Sequence, residues 1–140
     1  MSQPHDPHSI PSLLAQQKQE FRSRSLPSEA KPSIQRAVRH LHEHLFDPQL
    51  TVDRLLLECA IGSNTFSQRF RMRMGHTPHE YIQHRRIEVA RALLNQGVEN
   101  LFLISMSVGY ARYRTFLRNF KAIVGCTPSE YLAADQGTNA

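Results

Sequence analysis

The stretch TFSQRFRMRMGHTPHEY at residues 65–81 returns later in the chain as TFLRNFKAIVGCTPSEY at residues 115–131. Both copies place two phenylalanines four positions apart, which puts both rings on one face of a helix. Each copy continues to a glycine, the usual residue at the end of a helix. The Thr-Pro-X-Glu sequence that follows is a capping box with proline at the first helical position, so it predicts the start of another helix. The chain therefore contains one helical unit twice.

A short apolar segment precedes each copy and is separated from it by a tight turn. Val52 and Leu55 precede the first copy as Leu101 and Ile104 precede the second, if the second turn is one residue longer. A short helix, a turn of about four residues and a second helix form the pattern of a helix-turn-helix motif. The sequence predicts two such motifs and a long linker helix between them: the motifs at about 51–74 and 100–124, and the linker at about 78–96.

Helical periodicity extends from Ser33 onward, and no segment alternates as a half-buried strand would. The sequence predicts an all-α fold of about seven helices over residues 33–134. Residues 1–32 hold five of the eight prolines and, apart from a short helix at 10–21, nothing that would bury a core. We expect a mostly disordered tail there, with an arm that orders on a partner as the alternative. Residues 135–140 are a predicted polar tail.

The chain is basic, with a net charge of +5 and a pI of about 9.7. Six arginines lie between Ser63 and Arg91 against two glutamates. The segment from Tyr110 to Gly125 has four basic residues and no acidic one. Clusters of one sign at two places indicate two basic surfaces, which suit a polyanion such as nucleic acid.

Several classes of protein are excluded by composition. No run approaches 18 consecutive apolar residues, so no transmembrane helix is expected. Residues 1–8 lack the basic start and apolar run of a secretory signal. Two cysteines, Cys59 and Cys126, cannot form a disulfide framework or a four-ligand zinc site. We therefore expect a protein of the reducing cytoplasm.

Helix geometry indicates which side chains of the two basic helices face outward when their phenylalanines face inward. The candidate DNA-contacting residues are Asn64, Ser67, Gln68 and Arg71 in the first helix, and Arg112, Arg114, Thr115, Leu117, Arg118 and Lys121 in the second. Arginine can read guanine, and Asn or Gln can read adenine, through paired hydrogen bonds. Arg71, Arg112 and Lys121 are better placed for phosphates. Leu117 would pack either on a thymine methyl group or in the core.

Other chemistry has weak support in the sequence. His40 and His44 are one helical turn apart and could bind one metal ion, but a third ligand is not evident. Leu41 also stands where the zincin motif needs glutamate. We therefore expect surface histidines on this helix and no metal. No nucleophile–base pair and no glycine-rich phosphate loop is evident, so we expect neither an enzyme nor a cofactor.

The chain from about Ser33 to Leu132 resembles the DNA-binding domain of the AraC/XylS transcription regulators. The resemblance is carried by Val108-Gly109-Tyr110, Phe116, Phe120, Gly125 and residues 127–131, and in the long helix by Tyr81-Ile82, Arg85, Ile87, Ala90 and Leu93-Leu94. It implies seven helices in two helix-turn-helix subdomains, each with its second helix in a major groove. It also implies a structural role for Arg85, whereas Arg86 and Arg91 are expected to be solvated.

The first motif departs from the family pattern, because Ala60 and Gly62 stand where the family usually has Gly and Ser. We expect a small stand-alone transcription regulator that binds double-stranded DNA sequence-specifically as a monomer, in the bacterial cytoplasm and on the nucleoid. RNA polymerase is a further candidate partner. The alternative is an interaction protein, or an antagonist of a longer regulator, with weakened DNA binding.

Overall fold

The computed structural model describes residues 9–24, 30–62 and 65–138, with side chains through Ala134. These residues form eight α-helices and no β-strand, so the all-α prediction is confirmed, with one helix more than expected. The helices are α1 (Ile10–Ser23), α2 (Pro32–His44), α3 (Val52–Glu58), α4 (Phe66–Met74), α5 (Pro78–Asn95), α6 (Leu101–Ser107), α7 (Tyr113–Val124) and α8 (Pro128–Thr138).

The two copies of the repeated sequence adopt the same structure. In α4 and in α7 both phenylalanines are fully buried, with ring centroids 5.7 and 5.8 Å apart. The second phenylalanine of each helix packs edge-on against the tyrosine of the next helix, Phe70 on Tyr81 at 5.6 Å and Phe120 on Tyr131 at 5.8 Å. Aromatic pairs prefer this geometry. The buried phenylalanines hold the opposite faces of α4 and α7 outward.

Both predicted capping boxes are confirmed. The Thr77 hydroxyl accepts the backbone N–H of Glu80 at 3.2 Å, and the Glu80 carboxylate accepts the N–H of Thr77 at 3.0 Å. Thr127 and Glu130 make the same pair of bonds at 3.1 and 2.9 Å. These bonds satisfy N–H groups that a helix start leaves without partners. They set the points at which α5 and α8 begin.

The long helix α5 lies at the centre of the fold and packs against α1, α4, α6 and α7. It is buried over most of its length, through Tyr81, Ile82, Arg86, Ile87, Val89, Ala90, Leu93 and Leu94. Because α4 and α7 both pack on this helix, one rigid element sets the position of the second helix of each motif.

The short helix expected at residues 10–21 is present as α1, but it packs on the fold, so the expectation of a mostly disordered tail is wrong for residues 10–23. This helix packs on α2 and α5 and buries Leu13 and Phe21, the latter to 1% exposure. Two ion pairs fasten its end, Arg22 to Glu43 at 3.0 Å and Arg24 to Glu88. Few apolar positions mark α1 in the sequence, because Leu13 and Phe21 are its only buried residues and its ion-pair partners lie far along the chain. Residues 1–8 and 25–29 of the expected tail lie outside the described residues.

Arg86 is buried to 5% exposure, so the expectation that it is solvated is wrong. Its Nε donates to the carbonyl of Leu45 at 2.9 Å and its Nη2 donates to the carbonyl of Asp47 at 2.9 Å. The guanidinium also lies 5.6 Å from the centre of the Tyr110 ring. The last carbonyls of a helix lack partners within the helix. Arg86 of α5 supplies donors to the carbonyl groups at and just after the end of α2. Arg91 is exposed, as expected.

His42 is buried, although the histidines of this helix were expected at the surface. Its ring stacks on Phe21 at a centroid distance of 5.0 Å, and its Nε2 lies 2.6 Å from the hydroxyl of Tyr81. Burial, followed by the charges of Arg24 and Arg85, lowers the pKa of His42 to about 4, while Glu88 acts in the opposite direction. The histidine is therefore neutral in the folded protein at neutral pH.

This lowered pKa predicts that the protein loses stability in mild acid. The unfolded chain binds a proton at His42 near pH 6.5, whereas the folded protein does so only near pH 4, so the loss begins below about pH 6.5. We expect His42 to remove about 2 kcal/mol of unfolding free energy between pH 8 and pH 5, measured by urea denaturation. In His42→Gln most of this loss should vanish, leaving a smaller slope from groups such as His84, whose pKa burial also lowers. An unchanged pH profile in the variant would contradict the prediction.

The tight turns of the two motifs have the same backbone geometry, but they differ in the residue that adopts a positive φ. Ile61 donates to the carbonyl of Leu56 at 2.9 Å, and Tyr110 donates to the carbonyl of Ser105 at 3.0 Å. The residue before each donor has a positive φ, 55° at Ala60 and 111° at Gly109. This region favours glycine. The first motif therefore carries a strained alanine, whereas the second has the residue that the turn prefers.

Candidate nucleic-acid interface

In α7 the buried face points to the core and the basic face points to solvent. Phe116 and Phe120 are fully buried, while Arg114, Arg118 and Lys121 are exposed. Arg114 and Arg118 are separated by one turn, so they form one outward row. Arg112 is exposed at the N-cap position of α7, next to the backbone N–H groups that the first turn leaves free.

Leu117 and Thr115 are half-buried rather than freely exposed. Leu117 packs against the hydrophobic core with part of its side chain. The alternatives for Leu117 were packing on a thymine methyl group and packing in the core, and core packing accounts for its buried part. Only its remaining exposed edge is available to a ligand on the outer face of α7.

In α4 the candidate residues Ser67, Gln68 and Arg71 are all exposed. Asn64 lies outside the described residues. Arg69 is half-buried, and its Nη1 donates to the Thr65 hydroxyl at 2.7 Å. Arg69 therefore contacts the residue before the first turn of its own helix. Ser67, Gln68 and Arg71 remain the outward-facing candidates of α4.

A hydrogen-bond network that the sequence did not reveal fixes α7 on α5. Asn119 donates through Nδ2 to Oε1 of Gln83 at 2.6 Å, and Tyr110 donates its hydroxyl to the same oxygen at 2.6 Å. The Asn119 amide also reaches the Tyr110 hydroxyl at 3.2 Å. Because Asn119 of α7 is bonded to Gln83 of α5, the network restricts rotation of α7 about its own axis. It thereby also holds the neighbouring residue Arg118 on the outward side. The local sequence does not indicate this network, because Gln83 and Asn119 lie 36 positions apart.

The outward helices concentrate positive charge. The sequence of α4 contains three arginines and that of α7 contains two arginines and one lysine, and neither contains an acidic residue. Acidic side chains elsewhere have basic partners: Glu43 of α2 pairs with Arg22 of α1 at 3.0 Å, and Glu58 of α3 pairs with Arg54 at 3.1 Å and with His40 at 2.6 Å. Hydrogen bonds from Arg54 and His40 lower the pKa of Glu58, which therefore stays ionised. The two helices thus offer an electrostatic surface suited to phosphates.

The expected histidine pair does lie together, with the rings of His40 and His44 4.4 Å apart. The Glu58 carboxylate lies 2.6 Å from Nε2 of His40. The described part of the chain brings together no group of three or more His, Cys, Asp or Glu residues suited to a metal ion.

Among the residues that the structure describes, no helix combines the length and apolar character needed to cross a bilayer.

Comparison with known proteins places this arrangement in a family. A family model described as "Helix-turn-helix domain" matches residues 55–134. The XylDLEGF operon transcriptional activator of Pseudomonas putida is 28% identical over 113 residues, which are 79% of this chain and 35% of that protein. The xylose operon regulatory protein of Escherichia coli K12 is 30% identical over 112 residues, which are 80% of this chain and 28% of that protein. The chain spans about a third of the length of the curated relatives it matches.

A solved structure shares the fold. The DNA-binding domain of AdpA, described as a global transcriptional factor and solved with a target DNA, superposes with a TM-score of 0.69. It is 23% identical, and the match covers 77% of this chain and 96% of that domain. The matched family model covers more than half of the chain and includes α4, α5 and α7. The chain therefore belongs to the AraC-type helix-turn-helix family.

Proposed function

We propose that this chain is a sequence-specific DNA-binding transcription regulator that reads two adjacent major-groove segments with α4 and α7. The observation that supports this most is the pairing of a buried phenylalanine face with an outward basic face on both helices, which share one central helix. An α-helix fits the major groove, and the second helix of a helix-turn-helix motif is the one that enters it.

The exposed side chains divide into two roles. Arg114 and Arg118 would read guanine, because a guanidinium can donate to both O6 and N7. Gln68 would read adenine, because its amide can donate to N7 and accept from N6. Arg71, Arg112 and Lys121 would contact phosphates, which fix the position of the protein on the duplex. Asn64, Ser67, Thr115 and the exposed edge of Leu117 complete the proposed contact set.

The proposal extends to how and where the chain acts. A single chain carries two recognition helices, so a monomer can occupy a complete site of two groove segments. RNA polymerase is the proposed protein partner, and the bacterial cytoplasm and nucleoid are the proposed location. The P. putida relative is named as an activator of an operon, and we propose transcription regulation as the role of this chain as well.

Footprinting tests the geometry. One chain should protect two major-groove segments about one helical turn, roughly 10 bp, apart. The two halves of the site should differ in sequence, since α4 and α7 expose different side chains. A palindromic footprint that requires two chains would contradict single-chain reading. Affinity that is low and insensitive to salt would instead favour an antagonist or interaction protein, because phosphate contacts release counterions and make binding salt-dependent.

Substitutions in α7 should separate base reading from phosphate contact. We expect Arg118→Ala to weaken binding to the preferred site by about 1–3 kcal/mol and to leave binding to random duplex almost unchanged. Lys121→Ala should weaken both and lower the salt slope by about one unit. Fluorescence anisotropy at two salt concentrations would measure this, with circular dichroism as the check on folding. Arg36→Ala, which removes an exposed charge on α2, is the control; equal losses on both duplexes in Arg118→Ala would remove that residue from base reading.

A further inference from the structure

The two recognition helices are attached to the central helix α5 in different ways. On the α7 side, Oε1 of Gln83 accepts hydrogen bonds from the hydroxyl of Tyr110 and from the amide of Asn119, both at 2.6 Å. Tyr110 is 3% exposed, and its ring packs edge-on against Phe116 at 5.5 Å. Because hydrogen bonds are directional, this partly buried network defines the rotation of α7 about its own axis.

The equivalent residues of the first motif, Ile61 and Arg69, are engaged differently. Ile61 takes the place of Tyr110, since both donate the equivalent backbone hydrogen bond of the turn, but its side chain is apolar. Arg69 takes the place of Asn119 in the repeated sequence, and its Nη1 donates to the Thr65 hydroxyl at the start of the same helix. Its Nε is buried and has no hydrogen-bond partner among the described residues. Neither position therefore ties α4 to α5 as the network ties α7.

The contact of α4 with α5 is aromatic. Phe66 and Phe70 are fully buried, and Phe70 packs on the Tyr81 ring at 5.6 Å. Apolar burial has little directional preference, so it keeps α4 on the core without defining its rotation closely. The turn of the first motif also holds Ala60 at a φ of 55°, a region that alanine adopts less readily than glycine. We therefore expect the orientation of α4 to be less fixed than that of α7.

Small rotations of a helix matter for reading bases. Side-chain ends lie about 5–6 Å from the axis of a helix, so a rotation of about 20° moves them by about 2 Å. The length of an N–H···O bond varies by only about 0.5 Å. Contacts to phosphates depend mainly on charge and tolerate such a displacement. A helix whose rotation is loosely fixed can therefore add affinity for DNA while discriminating weakly between base pairs.

We propose that the two halves of the DNA site are read with unequal stringency, strictly by α7 and tolerantly by α4, and that Gln83 is the residue that positions α7. This assignment rests on the proposed function, since it concerns the same two helices. Gln83 acts through Asn119 and Tyr110 rather than by contact with DNA. Gln68 of α4 contributes less discrimination than Arg114 and Arg118 of α7.

A base-pair map of the preferred site tests the unequal reading. The full chain selects its preferred sequence from a library of randomised duplexes, and each base pair of the selected duplex is then changed in turn. Fluorescence anisotropy measures the affinity for each changed duplex. We expect each change to weaken binding about tenfold or more in the half contacted by α7, and about threefold or less in the other half. Arg118→Ala identifies the α7 half, because it removes base preference there.

The outcomes of this map separate the unequal reading from the proposed function. Changes that are equally costly in both halves, or costlier in the α4 half, would overturn the unequal reading and leave sequence-specific binding intact. A library that yields no preferred sequence would refute the proposed function, and the unequal reading with it.

Two substitutions at Gln83 test its positioning role. Gln83→Met keeps the length of the side chain but removes the acceptor oxygen, and it should lower the ratio of preferred-site to random-duplex affinity about fivefold or more. Gln83→Glu retains an acceptor oxygen at the same distance from the backbone and should keep this ratio within about twofold of the natural value. The added negative charge acts on both duplexes alike, so it cancels in the ratio.

Thermal unfolding of both variants shows whether the fold is retained. A purely structural role for Gln83 would lower stability and weaken binding to both duplexes equally, which would overturn the positioning role. An unchanged ratio in Gln83→Met, or equal losses of the ratio in the two variants, would overturn it as well. The base-pair map of the natural protein tests the unequal reading independently of these variants.

Discussion

Replacing Phe21 with alanine is expected to lower the free energy of unfolding by about 3–5 kcal/mol, the usual range for a fully buried phenylalanine. The ring is 1% exposed, stacks on His42 and lies 4.8 Å below the guanidinium of Arg24. Its removal would leave a cavity between α1 and α2 and would open the surroundings of His42 to water. Urea denaturation monitored by circular dichroism measures the loss.

The matched control for this change is Gln19→Ala, which alters an exposed position on the same helix. Alanine is a good helix former, so this variant should differ from the natural protein by less than about 0.5 kcal/mol. If Phe21→Ala were equally harmless, α1 would not be docked in solution, and residues 10–23 would behave as the tail that the sequence had suggested.

Replacing Gly109 with alanine is expected to lower the free energy of unfolding by about 3 kcal/mol. Two costs add together. A positive φ of 111° strains any side chain by about 1–2 kcal/mol, and the new Cβ would lie 2.7 Å from Nε of Arg86 and 2.8 Å from the carbonyl oxygen of Leu45. Because those two atoms are hydrogen-bonded to each other, neither can move away without breaking the cap at the end of α2. Thermal and urea unfolding measure the combined cost.

Gly97→Ala separates the two costs. Its φ of 96° is similar, but a Cβ there would meet no atom within 4 Å. We therefore expect it to cost only the backbone strain, about 1–2 kcal/mol. Equal losses at Gly97 and Gly109 would show that Arg86 and Leu45 yield to the added methyl group, and that close packing at this turn is not a constraint.

The sequence alone determined the helical architecture wherever the signal was local. The phenylalanine spacing, the two capping boxes and the glycine stops each act within a few residues, so they predict the same helices in any context. The repeat then showed that two such units exist, and the buried rings in α4 and α7 match that prediction. Which side chains of α7 are outward could also be predicted, since burial of Phe116 and Phe120 leaves one face for Arg114, Arg118 and Lys121.

Tertiary structure decided the features whose partners are far apart in the chain. Phe21 meets His42 across 21 positions, and Arg86 reaches the carbonyl of Leu45 across 41. Neither periodicity nor capping carries information about such pairs, because burial of a polar group depends on which unsatisfied atom it meets after folding. For this reason the docking of α1, the burial of His42 and Arg86, and the Asn119–Gln83 bond that orients α7 follow only from the packing of distant helices.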